Sequence, residues 1–276
     1  MASASPTTSS ESRSGRIAER FARTAARGAG ALVTYITAGY PTPADTVSVL
    51  EGIAEAGADV IEFGIPFSDP LADGPTIQRA SQRAIAAGAT LARSLESLAE
   101  FRARSDTPVV VFTYLNPVLA YGVERFIADI HAAGADGVLL TDLPVGGDEE
   151  LERAFEESPL DLVRLVAPTT PLERAARIAA RSQGFVYYIS RTGVTGATEA
   201  LRAEIGREIE AIRPHARVPI AVGFGISSPA QAVEAARAAD GAVVGSALID
   251  ALDREGFSGL FAFVGSLRKA LDEAGR

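Results

Sequence analysis

Apolar runs and amphipathic stretches alternate along this chain with a steady beat. The runs are ALVTYITAG (Ala31 to Gly39), DVIEF (Asp59 to Phe63), PVVVFTYL (Pro108 to Leu115), GVLLTDL (Gly137 to Leu143), LDLVRLVAP (Leu160 to Pro168), FVYYIS (Phe185 to Ser190), VPIAVGF (Val218 to Phe224) and GAVVGSA (Gly241 to Ala247). None keeps a clean two-residue alternation, so each reads as a strand buried on both faces, the mark of parallel sheet. After each run, apolar residues at helical spacing predict a helix. These cover Pro43 to Ala56, Thr76 to Ala87, Val123 to Ala133, Asp148 to Glu157, Pro171 to Arg181, Glu199 to Ile212, Ser228 to Ala239, and a last stretch reaching Ala274. Ahead of the first run, Ile17, Phe21 and Ala25 predict a short helix from Arg16 to Arg27, stopped by Gly28 and Gly30 and packed against one end of the domain. Eight strand-helix units in succession predict an α/β fold, a single (β/α)8 TIM barrel with an extra N-terminal helix over residues 15–276, behind a flexible leader of residues 1–14. An open doubly wound sheet is the alternative, but no GxGxxG fingerprint follows the first run. The segments AEAGADVIE, HAAGADGVLL and ARAADGAVVG echo one another where a helix end meets a strand start, and Gly57 and Gly134 suit a left-handed helix stop.

Composition narrows the chemistry. The 276 residues are 47% apolar and 22% charged, with a net charge of -9, which opposes general affinity for nucleic acid or anionic membrane. No apolar run approaches a membrane span and the Ser/Thr-rich start has no signal-peptide core, so a cytoplasmic protein is expected. There is no cysteine, one lysine (Lys269) and two histidines (His131 and His215). Lys269 falls in the final amphipathic segment, where a solvated helix-face charge is expected rather than an imine-forming nucleophile. The histidines form no cluster of metal-ligand spacing, so no histidine-bound metal is expected. If the chain is an enzyme, carboxylates, hydroxyls and backbone amides must do the work.

The stretch EFGIPFSDPLADGP, Glu62 to Pro75, answers that requirement. Pro66, Pro70 and Pro75 make it a stiff loop, with Glu62 ending the second strand and Asp73 standing just before a helix start. Paired carboxylates suit general acid and base work, and barrel active sites lie at the C-terminal ends of strands, where both fall. The plainer alternative makes Glu62 a satisfied strand-end charge and Asp73 a helix cap. Tyr187 lies late in the sixth strand, followed by SRTGVTGA (Ser190 to Ala197), a candidate lid. GFGISS (Gly223 to Ser228) and GSA (Gly245 to Ala247) follow the seventh and eighth strands, where barrels bind phosphate through amides and a helix N-terminus.

Taken together, FGIPFSDPLADGPTIQ after Glu62, YYISRTGVTG from Tyr187, GFGIS from Gly223 and the Gly245-Ser246 pair resemble the tryptophan synthase α subunit family, from about Gly15 to the end of the chain. That resemblance implies retro-aldol cleavage of indole-3-glycerol phosphate to indole and glyceraldehyde 3-phosphate, with Glu62 as the proton-transfer residue and Asp73 beside the indole N–H. It implies a tyrosine near them at Tyr187, Thr195 in the lid against the catalytic aspartate, phosphate-side positions at Gly196, Gly225, Gly245 and Ser246, and Phe224 among the substrate-binding residues. Phe112 and Leu139 would face the indole, as would Tyr35, which stands where enteric members have phenylalanine. It further implies no cofactor in this chain, and a pyridoxal-phosphate β subunit as partner in an α2β2 assembly, docked along Pro66 to Pro75 near Asn116 and Pro117. For the reaction, Glu62 must start protonated, with its pKa raised by an apolar pocket and by the nearby second carboxylate, while Asp73 stays ionised. A stand-alone lyase releasing free indole and a non-catalytic barrel that binds a phosphorylated ligand are the alternatives.

Overall fold

The computed structural model describes residues 15–190, 199–223 and 225–275. Runs without a polar face need cover on both sides, and here they obtain it by closing into a ring. The strands are β1 (Ala31–Thr37), β2 (Val60–Gly64), β3 (Val109–Thr113), β4 (Gly137–Leu140), β5 (Asp161–Val166), β6 (Val186–Ile189), β7 (Ile220–Gly223) and β8 (Gly241–Val244). They pair in sequence order, all parallel, and β8 returns to β1. The expected barrel is therefore observed, and the open sheet is not. Several strands are shorter than their apolar runs, because the run ends, such as Leu143 and Pro168, belong to the loops around the barrel mouth.

Among the described residues the helices are α1 (Arg16–Ala26), α2 (Thr46–Glu55), α3 (Pro75–Ala86), α4 (Leu91–Arg102), α5 (Leu115–Tyr121), α6 (Val123–Ala132), α7 (Glu149–Glu156), α8 (Leu172–Arg181), α9 (Glu199–Ile212), α10 (Pro229–Ala238) and α11 (Ser246–Ala274), the last broken by a kink at Gly256. Two of these are additions to the sequence reading. In α4, the Thr90 side chain accepts the Arg93 amide as N-cap, and Leu95, Leu98 and Phe101 turn inward. In α5, Pro117 sits in the first turn, where its missing N–H has no intrahelical acceptor to satisfy. Asn116 and Pro117 thus belong to a short helix at the mouth.

Side chains form two concentric layers. Val33, Val60, Val110, Leu139, Val163, Ala221 and Val243 fill the barrel interior, and Ile17 and Phe21 of α1 close its lower end, with Phe21 and Phe185 ring centroids 5.7 Å apart. The larger outer layer lies between strands and helices.

The sequence echo at the helix-to-strand junctions has a structural content. Asp59, Asp136 and Asp240, one from each segment, accept the backbone amides of Leu32, Val109 and Ile220 on the preceding strand, each at 2.8 Å. Each also pairs with an arginine: Arg268 at 2.7 Å, Arg102 at 2.9 Å and Arg213 at 2.9 Å. Gly57 and Gly134 adopt positive φ, and a Cβ at either would come within 2.6 Å of Arg268 or 2.5 Å of Arg102, so glycine serves both the turn and the passage of the arginine.

Candidate active site

Residues on the inner face at the top of the strands, joined by the loops above them, enclose a cavity of about 440 Å3, within the range of small-molecule sites. Its wall includes Tyr35 of β1, Glu62 of β2, Asp73 and Gly74 of the following loop, Phe112 of β3, Tyr187 of β6, and Gly225, Gly245 and Ser246. Of the site residues expected from sequence, these eight (Gly74 aside) meet at one place. Leu139 does not reach the wall. It is fully buried in the layer beneath, in register with Phe112 and Val163, and Thr141, Leu165 and Val243 line the cavity instead. Thr195, Gly196 and Phe224 lie outside the described residues, as do residues 1–14.

Glu62 is not a satisfied strand-end charge. It is 1% exposed, and its Oε1 atom has no hydrogen-bond partner among the described residues. Burial pushes its carboxyl from 4.5 up to about 8. The second carboxylate, expected to assist, is not among the causes of that shift; removal from water suffices. Nor is Asp73 a helix cap. Gly74 holds the N-cap position of α3 with no side-chain cap bond, followed by Pro75 at the first helical position, so the Asp73 carboxyl is left to face the cavity. Burial raises Asp73 to about 6, opposed by a hydrogen bond from the Tyr114 hydroxyl. Near neutral pH Glu62 is therefore mostly protonated and Asp73 mostly ionised, which is the division of labour an acid and an electrostatic partner need.

Tyr114 escaped the sequence reading although it stands just beyond β3, at the end of the barrel that carries the chemistry. Its hydroxyl accepts the Ala72 amide at 3.0 Å and donates to Asp73, and its ring lies 5.3 Å from that of Phe67. Gln78 Nε2 donates to the carbonyl of Asp73 at 2.9 Å. The prolines make the loop stiff; Tyr114 and Gln78 fasten it to the barrel. The position of Tyr114 near the end of the third apolar run was the available signal.

Tyr35 and Tyr187 complete the apolar half of the cavity. Tyr35 meets Phe112 edge-on at 5.3 Å. Its hydroxyl end passes over Gly64, where an added Cβ would fall 2.2 Å from the oxygen. Burial and the two acidic groups raise both phenols well above their ordinary range, so both stay neutral. Beside Tyr35, Gly245 and Ser246 begin α11, and Gly225 takes a φ of 71°. Amides at a helix N-terminus with a serine hydroxyl are the chemistry an anion site uses, which makes this corner the candidate for phosphate.

Lys269 pairs with Glu273 on the exposed face of α11, as its segment suggested. No group of three or more potential metal ligands occurs among the described residues.

Fold and site define a (β/α)8-barrel enzyme with its candidate chemistry at the C-terminal mouth of the strands. Comparison with known proteins makes this specific. The family model described as "Tryptophan synthase alpha chain" matches residues 21–260. A curated tryptophan synthase alpha chain from Geobacter sulfurreducens is 46% identical over 259 residues, 94% of this chain and 98% of the relative, and one from Acidiphilium cryptum is 50% identical over 238 residues, 86% of each. Among solved structures, tryptophan synthase from Mycobacterium tuberculosis superposes with a TM-score of 0.85 at 38% identity, covering 93% of this chain and 98% of that one. An alpha subunit from Legionella pneumophila gives 0.84 at 36%, covering 94% and 98%. The chain belongs to the tryptophan synthase alpha chain family.

Proposed function

We propose that this chain cleaves indole-3-glycerol phosphate to indole and glyceraldehyde 3-phosphate, the lyase reaction of its family, with Glu62 and Asp73 as the acting groups. The observation that carries the reading is the buried Glu62 carboxyl with its unpartnered Oε1, in one cavity with Asp73. A barrel that only bound a phosphorylated ligand would have no use for a desolvated, unpaired carboxyl, which costs stability.

In this mechanism neutral Glu62 delivers its proton to C3 of the indole ring. The resulting cationic ring is an electron sink, and Asp73 accepts the ring N–H and stabilises the positive charge that develops there. Glu62, now a carboxylate, takes the proton from the hydroxyl on the carbon attached to the ring. That C–O bond becomes a carbonyl, the bond from this carbon to indole C3 breaks, and its electron pair restores the aromatic ring. One proton leaves Glu62 and one returns, so the enzyme is regenerated without an external acid. Tyr35, Phe112 and Tyr187 form the apolar surface for the ring, while Gly225, Gly245 and Ser246 hold the phosphate.

The partner is a pyridoxal-phosphate β subunit, which takes the indole onward; this chain needs no cofactor for the cleavage. The mouth offers a docking edge: Leu71 is 92% exposed in the proline-bearing loop and Leu119 is 55% exposed on α5. Among the described residues no helix is long and apolar enough to cross a membrane, and a cytoplasmic site of action fits the family. The test is direct. Purified chain is incubated with indole-3-glycerol phosphate, alone and with a β subunit, and indole is quantified by chromatography. Indole formation in proportion to enzyme is expected, and its absence under both conditions removes the assignment.

A further inference from the structure

The phosphate corner contains a charge that the mechanism does not use. Asp250 lines the same cavity as Ser246 and stands four residues further along α11. Residues so spaced lie over one another on a helix face, with Cβ atoms roughly 5–6 Å apart. Asp250 lies one turn beyond the helix start and has no share in the N-terminal amides, but it lines the same cavity, so its carboxylate is a like charge to an incoming phosphate.

The neighbours of Asp250 come from α3. Thr76 Oγ1 donates to Asp250 Oδ1 at 3.3 Å, Arg79 Nη2 donates to Thr76 Oγ1 at 3.3 Å, and Arg79 Nη2 stands 4.0 Å from Asp250 Oδ1. The ion pair is at the limit of contact, and its side chains are 58% and 49% exposed, so Arg79 offsets the carboxylate only in part. From this arrangement we infer that Asp250 and Arg79 set the affinity of the corner for a phosphate dianion: Asp250 opposes the dianion by like charge, and Arg79 counteracts Asp250. The inference rests on the phosphate reading of Gly225, Gly245 and Ser246. Its consequence is kinetic as well. The amides that hold the substrate also hold the phosphorylated aldehyde product, and a fixed negative charge beside them keeps that product from being retained.

The sign of the effect makes it testable. Inorganic phosphate is titrated into the full chain, into Asp250→Asn and into Arg79→Gln by calorimetry, at low and at moderate sodium chloride. Asp250→Asn is expected to bind phosphate about three- to tenfold more tightly at low salt, with the gain shrinking as salt rises. Arg79→Gln is expected to bind it more weakly by a similar factor. Asn can still accept the Thr76 hydroxyl, and Asp250→Ser is a second neutral variant should the Asn protein fold poorly. If the neutral variants bind phosphate more weakly, or as the unaltered chain does, Asp250 merely brackets α3 to α11 and the inference is overturned. If the unaltered chain takes up no phosphate at either salt, the phosphate reading itself fails, a result distinct from the first.

Discussion

Glu62 and Asp73 differ by their surroundings more than by their chemistry. Glu62 ends inside the barrel with an oxygen that meets no donor among the described residues, whereas Asp73 is partly relieved by the Tyr114 hydroxyl. Their values of about 8 and about 6 predict a bell-shaped pH dependence of kcat/KM. Activity rises as Asp73 ionises near pH 6 and falls as Glu62 loses its proton near pH 8, which a steady-state pH series checks. Glu62→Gln is expected to stay folded and lose ~10²–10⁴-fold or more in cleavage rate, read from indole release and circular dichroism together. The same burial has a stability consequence. Between 4.5 and about 8 the folded chain keeps a proton that the unfolded chain has released, so this group's contribution to stability is complete below 4.5 and is lost as pH rises toward 8. Thermal midpoints measured across that range should fall less steeply for Glu62→Gln than for the unaltered chain. Both carboxylates could be picked from sequence because cysteine and clustered histidine were missing and the one lysine, Lys269, lies in the final helical segment. Tyr114 could not, because its role depends on a loop folding back over it from an earlier part of the chain.

Each junction aspartate ties the N-terminal end of its own strand to a neighbouring strand and to a helix. Asp136 is the most enclosed: its side chain has no exposure and meets Arg16 at 2.6 Å, Arg102 at 2.9 Å and the Val109 amide. Asp136→Ala is expected to cost about 3–5 kcal/mol in chemical denaturation, since it strands the buried Val109 amide and two partly buried guanidinium groups. Asp240, 21% exposed, should cost clearly less on the same substitution, and equal losses would contradict the burial argument. The recurrence of these segments was visible along the chain, as was the glycine stop in two of them. Their partners were not, because Arg268 reaches Asp59 across 209 positions of sequence. The same limit explains α4 and α5. Helix α4 follows directly on α3 within one strand-to-strand crossover, where a single helix was the expectation, and the Pro117 of α5 reads locally as a breaker until its place in the first turn is known.

Over the whole molecule, the barrel concentrates its candidate chemistry at one mouth, and the exposed Leu71 and Leu119 leave apolar surface near the same rim. Replacing both by Asp should weaken association with a β subunit by at least about tenfold, roughly 1.4 kcal/mol, in sedimentation or titration experiments, while the circular dichroism of the isolated chain stays unchanged. The order of the strands, the closed barrel and the candidate acid–base pair were legible in the sequence itself. Doubly buried parallel strands dictate apolar runs, and strand-to-helix alternation leaves few ways to cover them. The tertiary structure decided what depends on solvent exclusion and on meetings between distant segments. It placed Glu62 where burial alone protonates it, put Leu139 below the cavity rather than on its wall, brought Tyr114 under Asp73, and set Asp250 beside Ser246 within reach of α3. Local pattern tells which face of a strand or helix is apolar, but depth from solvent and the charge across a cavity are properties of the closed barrel.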